Sequence, residues 1–228
     1  MNDIVDLAGG RVRDLNRALH GLSADTNRTA WRVLNPRGQH ALAVGVDAPV
    51  RIEIAGHAGY YCAGMNQGAT VVIEGNAGNG VAENMMGGRV HVKGDASAAA
   101  GATAHGGMLV IDGNASARCG ISMKGVHILV GGNVGHMSAF MAQAGTLTVL
   151  GDAGESLGDS IYEAQLFVRG RVASLGADCI EKEMRDEHRD ALAARLEAGG
   201  MHADPAAFRR YGSARRLYHF HVDNAGDY

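Results

Sequence analysis

One glycine recurs every 19 residues through the middle of the chain, and this spacing constrains the fold more than any other feature. The series continues without insertion or deletion through seven repeats, at Gly56, Gly75, Gly94, Gly113, Gly132, Gly151 and Gly170. A unit of 19 residues is too short for a strand with a helical crossover, and helix-pair repeats need more than about thirty residues. The periodicity therefore predicts an all-β fold, a single-stranded parallel β-helix of seven coils.

Each repeat carries a short strand that ends at this reference glycine. Two columns of the repeat are wholly aliphatic: two residues before the glycine stand Ile54, Ile73, Val92, Ile111, Val130, Val149 and Val168, and four before it stand Ile52, Val71, Val90, Leu109, Ile128, Leu147 and Leu166. Residues two apart point to the same face of a strand. We therefore expect these side chains to fill the interior of the coils.

Further columns predict the corners of each coil. The residue after the reference glycine is mostly Asn or Asp, which tolerate left-handed backbone and hydrogen-bond within their own turn. Seven residues past the glycine only Ala or Gly occurs, which predicts a narrow point in the coil. Twelve past it, another corner is indicated by Gly68, Gly87, Gly106, Gly125 and Ala144.

Residues 1–40 are predicted to be an N-terminal capping segment with a short helix, and residues 41–178 the β-helix. The helix is indicated by the spacing of Val12, Leu15 and Leu19. A first, irregular strand is indicated by the alternation of Leu42, Val44 and Val46. Because solenoids need covered ends, we expect this segment to close one end of the rod.

Residues 179–228 are predicted to form a C-terminal helix and an aromatic, Arg-rich docking tail. The helix should stop at Gly199 and Gly200, and its apolar stripe would consist of Ile180, Met184, Leu192 and Leu196. We expect the helix to cap the last coil. The tail either lies back along the rod or docks on a partner, because aromatic residues and arginine favour buried contacts.

Charge and cysteine content exclude several classes of partner and location. The net charge of −3 shows no basic field, which argues against nucleic acid or an anionic membrane as a partner. The sequence shows neither a signal peptide nor a membrane-spanning run. Three cysteines without CxxC spacing fit a reducing compartment. We expect a cytoplasmic protein.

The residues that could carry chemistry do not assemble into a site. The GNAGNG stretch at 75–80 lacks the order G-x-G-x-x-G and a following helix, so it predicts turns. Cys62 and Cys119 share a repeat position but lie three coils, about 14 Å, apart, too far to share one metal. We expect both thiols to be buried. His219 and His221 form only a weak metal pair without a third ligand, so no catalytic residue, metal site or cofactor is assigned to this chain.

One outward-facing column suggests a contact surface. Three residues before the reference glycine stand Glu53, Val72, His91, Val110, Leu129, Thr148 and Phe167, of which four are large and apolar. An exposed apolar stripe on a rod indicates either a partner subunit or the protein's own tail lying over it. The candidate partner interface consists of Val72, Val110, Leu129, Phe167, Phe208, Tyr211, Tyr218 and Phe220.

The glycine ladder also resembles a known domain. The stretches AGHAGYYCAGMNQGATVVIEGNAGNGVAENMMGGRVHVKGDA and GGMLVIDGNASARCGISMKG resemble the C-terminal GXGXG domain of the large subunit of glutamate synthase, over roughly residues 30–180. The resemblance implies a right-handed β-helix without catalytic residues of its own. In that family the domain lies between an amidotransferase domain and a flavin-binding barrel.

A free-standing chain with the lead-in DLNRALHGL and the ending FRRYGSARRLYHFHVDN is similar to the B subunits of N-methylglutamate synthases (methylamine–glutamate N-methyltransferases). This resemblance implies a hetero-oligomer in methylamine metabolism, with an amidotransferase-like subunit and an FMN-binding, glutamate synthase-like subunit as partners. The complex would convert glutamate and methylamine to N-methylglutamate and ammonia. FMN would be held by the partner, because the residues that bind it belong to the missing barrel.

Other β-helix proteins remain as alternatives. The β-helix subunit of formylmethanofuran dehydrogenases and of related formyltransferase/hydrolase complexes resembles this rod as well, and the segment from Phe208 to Asn224 favours the first interpretation. A hexapeptide acyltransferase would repeat an aliphatic residue every six positions, which a period of 19 does not. A polysaccharide-active β-helix would usually be exported and would line one face with carboxylates, and the sequence shows neither feature.

Overall fold

The chain winds into one continuous ladder of short strands. The computed structural model describes residues 3–217. Within this range it contains eleven strands: β1 (Asp3–Asp6), β2 (Ala30–Leu34), β3 (Arg51–Ile54), β4 (Thr70–Ile73), β5 (Arg89–Val92), β6 (Met108–Ile111), β7 (Lys124–Val130), β8 (Ala144–Val149), β9 (Gln165–Val168), β10 (Cys179–Lys182) and β11 (Arg209–Ser213). Two α-helices accompany them, α1 (Val12–His20) and α2 (Asp186–Gly199), with a 3₁₀ turn at Pro205–Ala207.

The strands pair in parallel from β1 to β9, each with the next along the chain. From β3 onward the register advances by 19 residues per coil, so that Ile52 lies beside Val71, and Val71 beside Val90. The seven predicted strands are therefore β3 to β9, which begin the first to seventh coils. At the far end β11 inserts antiparallel between β9 and β10. The prediction of a single parallel β-solenoid with short helices is confirmed.

The interior of the coils is aliphatic. All fourteen residues of the two aliphatic columns are completely buried, as the strand pattern predicts. A second ladder runs up the corner that follows the strand, where single parallel bridges join Ala58, Ala77, Ala96, Ala115, Val134, Ala153 and Val172. The core therefore consists of stacked like residues, whose burial of apolar surface stabilises the rod.

The reference glycines are required by a close approach between coils. The side chain of the following residue accepts a hydrogen bond from the backbone N–H of the equivalent residue one coil later, as when Asp95 Oδ1 accepts from the Asn114 N–H at 2.7 Å. A Cβ atom at Gly113 would collide with this Asp95 oxygen. The same bond is repeated in five further coil steps, accepted by His57, Asn76, Asn114, Asn133 and Asp152.

The prediction that the Asn/Asp column has left-handed backbone and hydrogen-bonds within its own turn is therefore wrong. Asn76, Asp95 and Asn114 do not have left-handed backbone, and their side-chain oxygens accept from the next coil instead of from their own turn. We call this column the Asx ladder. It joins consecutive coils outside the strands.

Left-handed residues instead occupy the side of the rod opposite the strands. We define the turn face as the positions four to eleven past each reference glycine, for example residues 98–105. Every second residue there has positive φ, as at Ala99 (60°), Gly101 (66°) and Thr103 (54°). Their N–H groups donate in alternation to the following and the preceding coil, from Ala99 to Ala117 O at 2.9 Å and from Gly101 to Val81 O at 2.8 Å. Tyr61, Arg118 and Met137 also have left-handed backbone, so this conformation does not explain the Ala/Gly column. Limited space does, because a Cβ at Gly101 would lie 2.7 Å from Ile128 Cδ1.

The first irregular strand at Leu42, Val44 and Val46 is not present. Ala41 and Ala43 have φ of 56° and 52°, and the segment forms a turn that stacks on the turn face of the first coil. In this turn Leu42 and Ala43 are buried, Val44 is only partly buried, and Val46 is buried again, so the apolar alternation does not correspond to one face of a strand. The capping segment does contain the predicted helix α1, with Leu15 and Leu19 buried, and its strands β1 and β2 extend the ladder.

The C-terminal helix lies along the rod and does not cap its last coil. Ile180 belongs to β10 and is 42% exposed, and Met184 precedes the helix. The helix ends as predicted, with Gly200 in left-handed conformation. At about 1.5 Å per residue, α2 is about 20 Å long, the height of about four coils. Among residues 3–217, no helix is long and apolar enough to cross a membrane.

Candidate functional site

The outward apolar stripe of the strands is covered by the chain's own C-terminal segment. Its side chains form a second hydrophobic cluster with α2 and the residues after it: Val110, Leu129, Leu150, Phe167, Leu192, Leu196, Met201 and Phe208. Gly199 allows the helix to approach closely, because a Cβ there would come within 2.6 Å of the Leu129 side chain. The stripe was expected to be covered either by a partner subunit or by the protein's own tail. Over this part of the stripe, the protein's own C-terminal segment covers it.

An arginine of the third coil fixes the C-terminal end of α2. The Arg89 guanidinium donates to the carbonyl oxygens of Ala198 at 2.6 Å and Gly199 at 3.2 Å. A cation at this end of a helix also interacts favourably with the helix dipole. Sequence reasoning missed this contact, since the same strand position also holds an arginine in the first coil, Arg51, and other residue types in the remaining coils.

The residues of the candidate partner interface are placed as follows. Val110, Leu129, Phe167 and Phe208 lie in the cluster beneath α2, and Tyr211 lies in the main core. Val72 is 4% exposed. These six side chains are therefore buried within the chain and do not offer an exposed apolar stripe. Tyr218 and Phe220 lie outside the described residues.

The contact between α2 and the rod also buries polar groups. His127 Nδ1 lies 2.9 Å from Thr146 Oγ1, and the pKa of His127 is lowered by burial and by the nearby Arg195 charge. Burial also lowers the pKa of Arg195. Two buried atoms, Arg195 Nη1 and Thr148 Oγ1, have no hydrogen-bond partner among residues 3–217. Unsatisfied buried polar groups cost free energy. These buried polar groups therefore offset part of the stability that α2 gains from apolar packing.

The cysteines and acidic residues of the described chain show how far metal binding and thiol chemistry are supported. Within residues 3–217 no group of three His, Cys, Asp or Glu side chains could hold a metal ion. Cys62 and Cys119 are buried as expected, and burial raises the pKa of each thiol from 9.0 to about 12. Thiols with such pKa values are poor nucleophiles at neutral pH. His219 and His221 lie outside the described residues.

The turn face is the surface that presents apolar side chains to solvent along the rod. Five of its side chains are large, apolar and more than one-third exposed: Tyr60, Met65, Met86, Met141 and Tyr162. The other large exposed apolar side chains lie toward the two ends of the described chain, namely Ile4, Leu175, Ile180 and Leu217. Flexible methionines with aromatic neighbours suit protein contacts. The turn face is therefore the candidate partner-binding surface.

A groove lies beside α1. It has a volume of about 830 Å³ and is lined by α1 residues, among them Arg13 and Arg17, and by His40. His40 stacks on Tyr60 with ring centroids 4.6 Å apart, and His40 Nδ1 accepts a hydrogen bond from the Tyr60 N–H at 2.9 Å. The groove therefore continues the N-terminal end of the turn face.

Sequence comparison supplies one relative of the whole chain. The chain is similar to Protein GlxC of Rhizobium meliloti (strain 1021), with 60% identity over 226 residues that cover 99% of each protein. No family model matches the chain. Identity this high over both whole proteins implies that the solenoid and its helices are common to the two.

Proposed function

The chain belongs to the same protein family as GlxC, and from this premise we propose that it is a non-catalytic scaffold subunit of a glutamate synthase-like enzyme complex. The observation that carries the proposal is the combination of a rigid solenoid with an exposed apolar turn face. Stacked coils hold surface side chains at fixed spacing, which suits the positioning of other subunits.

The proposed complex has two other components. The resemblance of the glycine ladder to the GXGXG domain of glutamate synthase supports partners of the kinds that flank that domain, an amidotransferase-like subunit and an FMN-binding subunit. The resemblance to the B subunits of N-methylglutamate synthases supports glutamate and methylamine as substrates of the complex. FMN would be bound by the partner subunit.

The turn face is the surface we propose for these contacts. Met65 and Met86 lie in the first and second coils, and Met141 and Tyr162 in the fifth and sixth. The two exposed pairs are therefore four coils, about 19 Å, apart along the rod. Two separate apolar patches on one rigid face would allow two subunits to bind side by side.

Purification of the tagged full chain from its native cells tests the proposal. We expect an amidotransferase-like chain and a flavin-bearing chain to co-purify, and the flavin absorbance to be lost when the tagged chain is isolated alone. Recovery of the chain alone would contradict the scaffold role. Recovery with molybdenum- or tungsten-containing partners and without flavin would favour the one-carbon formyltransferase complexes instead.

A further inference from the structure

A polar cavity lies where the start of α2, the antiparallel pair of strands β10 and β11, and the chain before β9 meet. Its volume is about 390 Å³, within the range of about 300 to 1,000 Å³ that is usual for small-molecule pockets. Its lining includes four cationic side chains, two carboxylates and one histidine: Lys182, Arg185, Arg210, Arg215, Glu163, Glu187 and His188. Four cations therefore face two carboxylates, in a chain whose net charge is −3.

The two carboxylates are already engaged. Glu163 accepts from Arg215 Nη2 at 2.9 Å and 3.2 Å, one bond to each carboxylate oxygen. Glu187 lies 3.2 Å from Arg185 Nη2. Lys182 and Arg210 form no ion pair with a carboxylate within residues 3–217. The carboxylates of Glu183 and Glu187 act on Arg210 only at longer range, where they oppose the lowering of its pKa.

The geometry of Arg210 leaves part of its guanidinium for a ligand. Its Nε atom donates to the backbone oxygen of Glu183 at 2.9 Å, which fixes the side chain. The pKa of Arg210 is lowered by burial and by the charge of Arg185, and the pKa of His188 is lowered by burial and by these two arginines. Like charges held together in this way are stabilised by an anion.

We propose that this cavity binds a small organic anion that carries a carboxylate or phosphate group, with Lys182 and Arg210 as its principal ligands. A guanidinium matches the two oxygens of such a group, and an ammonium adds a compact charge. The polar lining and the cavity size suit a metabolite rather than a macromolecule. The proposal is independent of the scaffold role, because the isolated chain contains the whole cavity.

Calorimetric titration of the purified full chain with inorganic phosphate, and separately with succinate, tests this site. We expect saturable binding of at least one probe at one site per chain. Lys182→Gln and Arg210→Gln should each weaken it about tenfold or more, since a charge-assisted hydrogen bond is lost. Stronger binding of phosphate would identify a phosphate ligand, and stronger binding of succinate a carboxylate ligand.

Two control variants separate the cavity from general charge effects. Arg13→Gln removes one cation from the groove beside α1 and should leave binding unchanged. Gly212→Ala changes no charge, but its new methyl group would lie 3.7 Å from Lys182 Cγ and 3.8 Å from the Ala164 oxygen, so it should weaken binding by narrowing the cavity. Thermal melting would verify that each variant folds.

The proposal is overturned if neither probe binds saturably. It is equally overturned if folded Lys182→Gln and Arg210→Gln chains bind as tightly as the unmodified protein, or if Arg13→Gln weakens binding as much as they do.

Discussion

Arg89 Nη1 lies 2.6 Å from the carbonyl oxygen of Ala198, although the two residues are 109 positions apart in the chain. The contact joins the third coil to the end of a helix that starts beyond the seventh. It therefore holds α2 along the rod, over the apolar stripe.

Replacing Arg89 with methionine should loosen this end of α2. Arg89→Met keeps most of the side-chain length but loses the hydrogen bonds to two carbonyl groups, at a cost of about 1 to 2 kcal/mol in the free energy of unfolding. Hydrogen exchange should accelerate in the last turn of α2. Arg118→Met is a matched control, because Arg118 is exposed and methionine occupies the same repeat position in the next coil, at Met137. Equal hydrogen-exchange rates in the last turn of α2 in the two variants would refute the role of Arg89 in capping the helix.

Leu196 should contribute strongly to the same contact. It is 2% exposed and packs in the cluster with Val110 and Leu129, so Leu196→Ala should lower the free energy of unfolding by about 2 to 5 kcal/mol. Denaturant unfolding measures this change. The neighbouring Glu197 is exposed, and Glu197→Ala should change stability by no more than about 0.5 kcal/mol. Similar losses in the two variants would contradict the packing role of Leu196.

The Asx ladder makes the reference glycines from Gly75 to Gly170 intolerant of a side chain. At Gly113 a Cβ would collide with Asp95 Oδ1 and lie 2.9 Å from the Gly94 oxygen. Gly113→Ala should therefore lower the free energy of unfolding by about 1 to 3 kcal/mol, the usual cost of overpacking. Gly9→Ala is the control, because no atom lies within 4 Å of its added Cβ. Thermal unfolding that shifts equally in both would contradict the steric explanation.

The buried thiols should make the fold sensitive to alkaline pH. Burial raises the pKa of Cys62 and Cys119 from 9.0 to about 12. Between these values the unfolded chain releases the thiol protons and the folded chain keeps them, so the free energy of unfolding falls as pH rises from about 9 toward about 12. The variant Cys62→Ala/Cys119→Ala should lose less stability over this interval. Denaturant unfolding across a pH series measures the slopes, and identical slopes would exclude the thiols as the cause.

The turn face should lose its partners when charge is placed on it. Met86 and Met141 are 52% and 46% exposed, so Met86→Glu and Met141→Glu should fold normally but recover less of the co-purifying subunits. Ala193→Glu adds the same side chain on the exposed side of α2 and should not reduce recovery. If both methionine variants recover the subunits as well as the unmodified chain does, the turn face is not the interface.

The solenoid could be predicted from the sequence because its repeat is uninterrupted. A constant spacing from Gly56 to Gly170 and two aliphatic columns leave few other ways to bury the same side chains in every coil. The bonding around these glycines could not be inferred in the same way. Asp and Asn are expected to bond within their own turn, and only the stacking of coils shows that Asp95 accepts from Asn114.

The turn face and the course of α2 were less predictable for physical reasons. Left-handed backbone is recognised from glycine or asparagine, whereas Ala99, Arg118 and Met137 adopt it here because neighbouring coils satisfy their N–H groups. For α2, the apolar residues identify a face that will be buried but not the surface that buries it. Both features depend on contacts between residues far apart in sequence.

The Asx ladder has a direction. In each step the side-chain acceptor belongs to the earlier coil and the N–H donor to the later one, as from Asp95 to Asn114 and from Asn114 to Asn133. A ribosome releases the chain from its N-terminus, so every new coil meets an acceptor that is already in place. The order in which the protein is synthesised is thus also the order in which its ladder can be assembled, one coil serving as the template for the next.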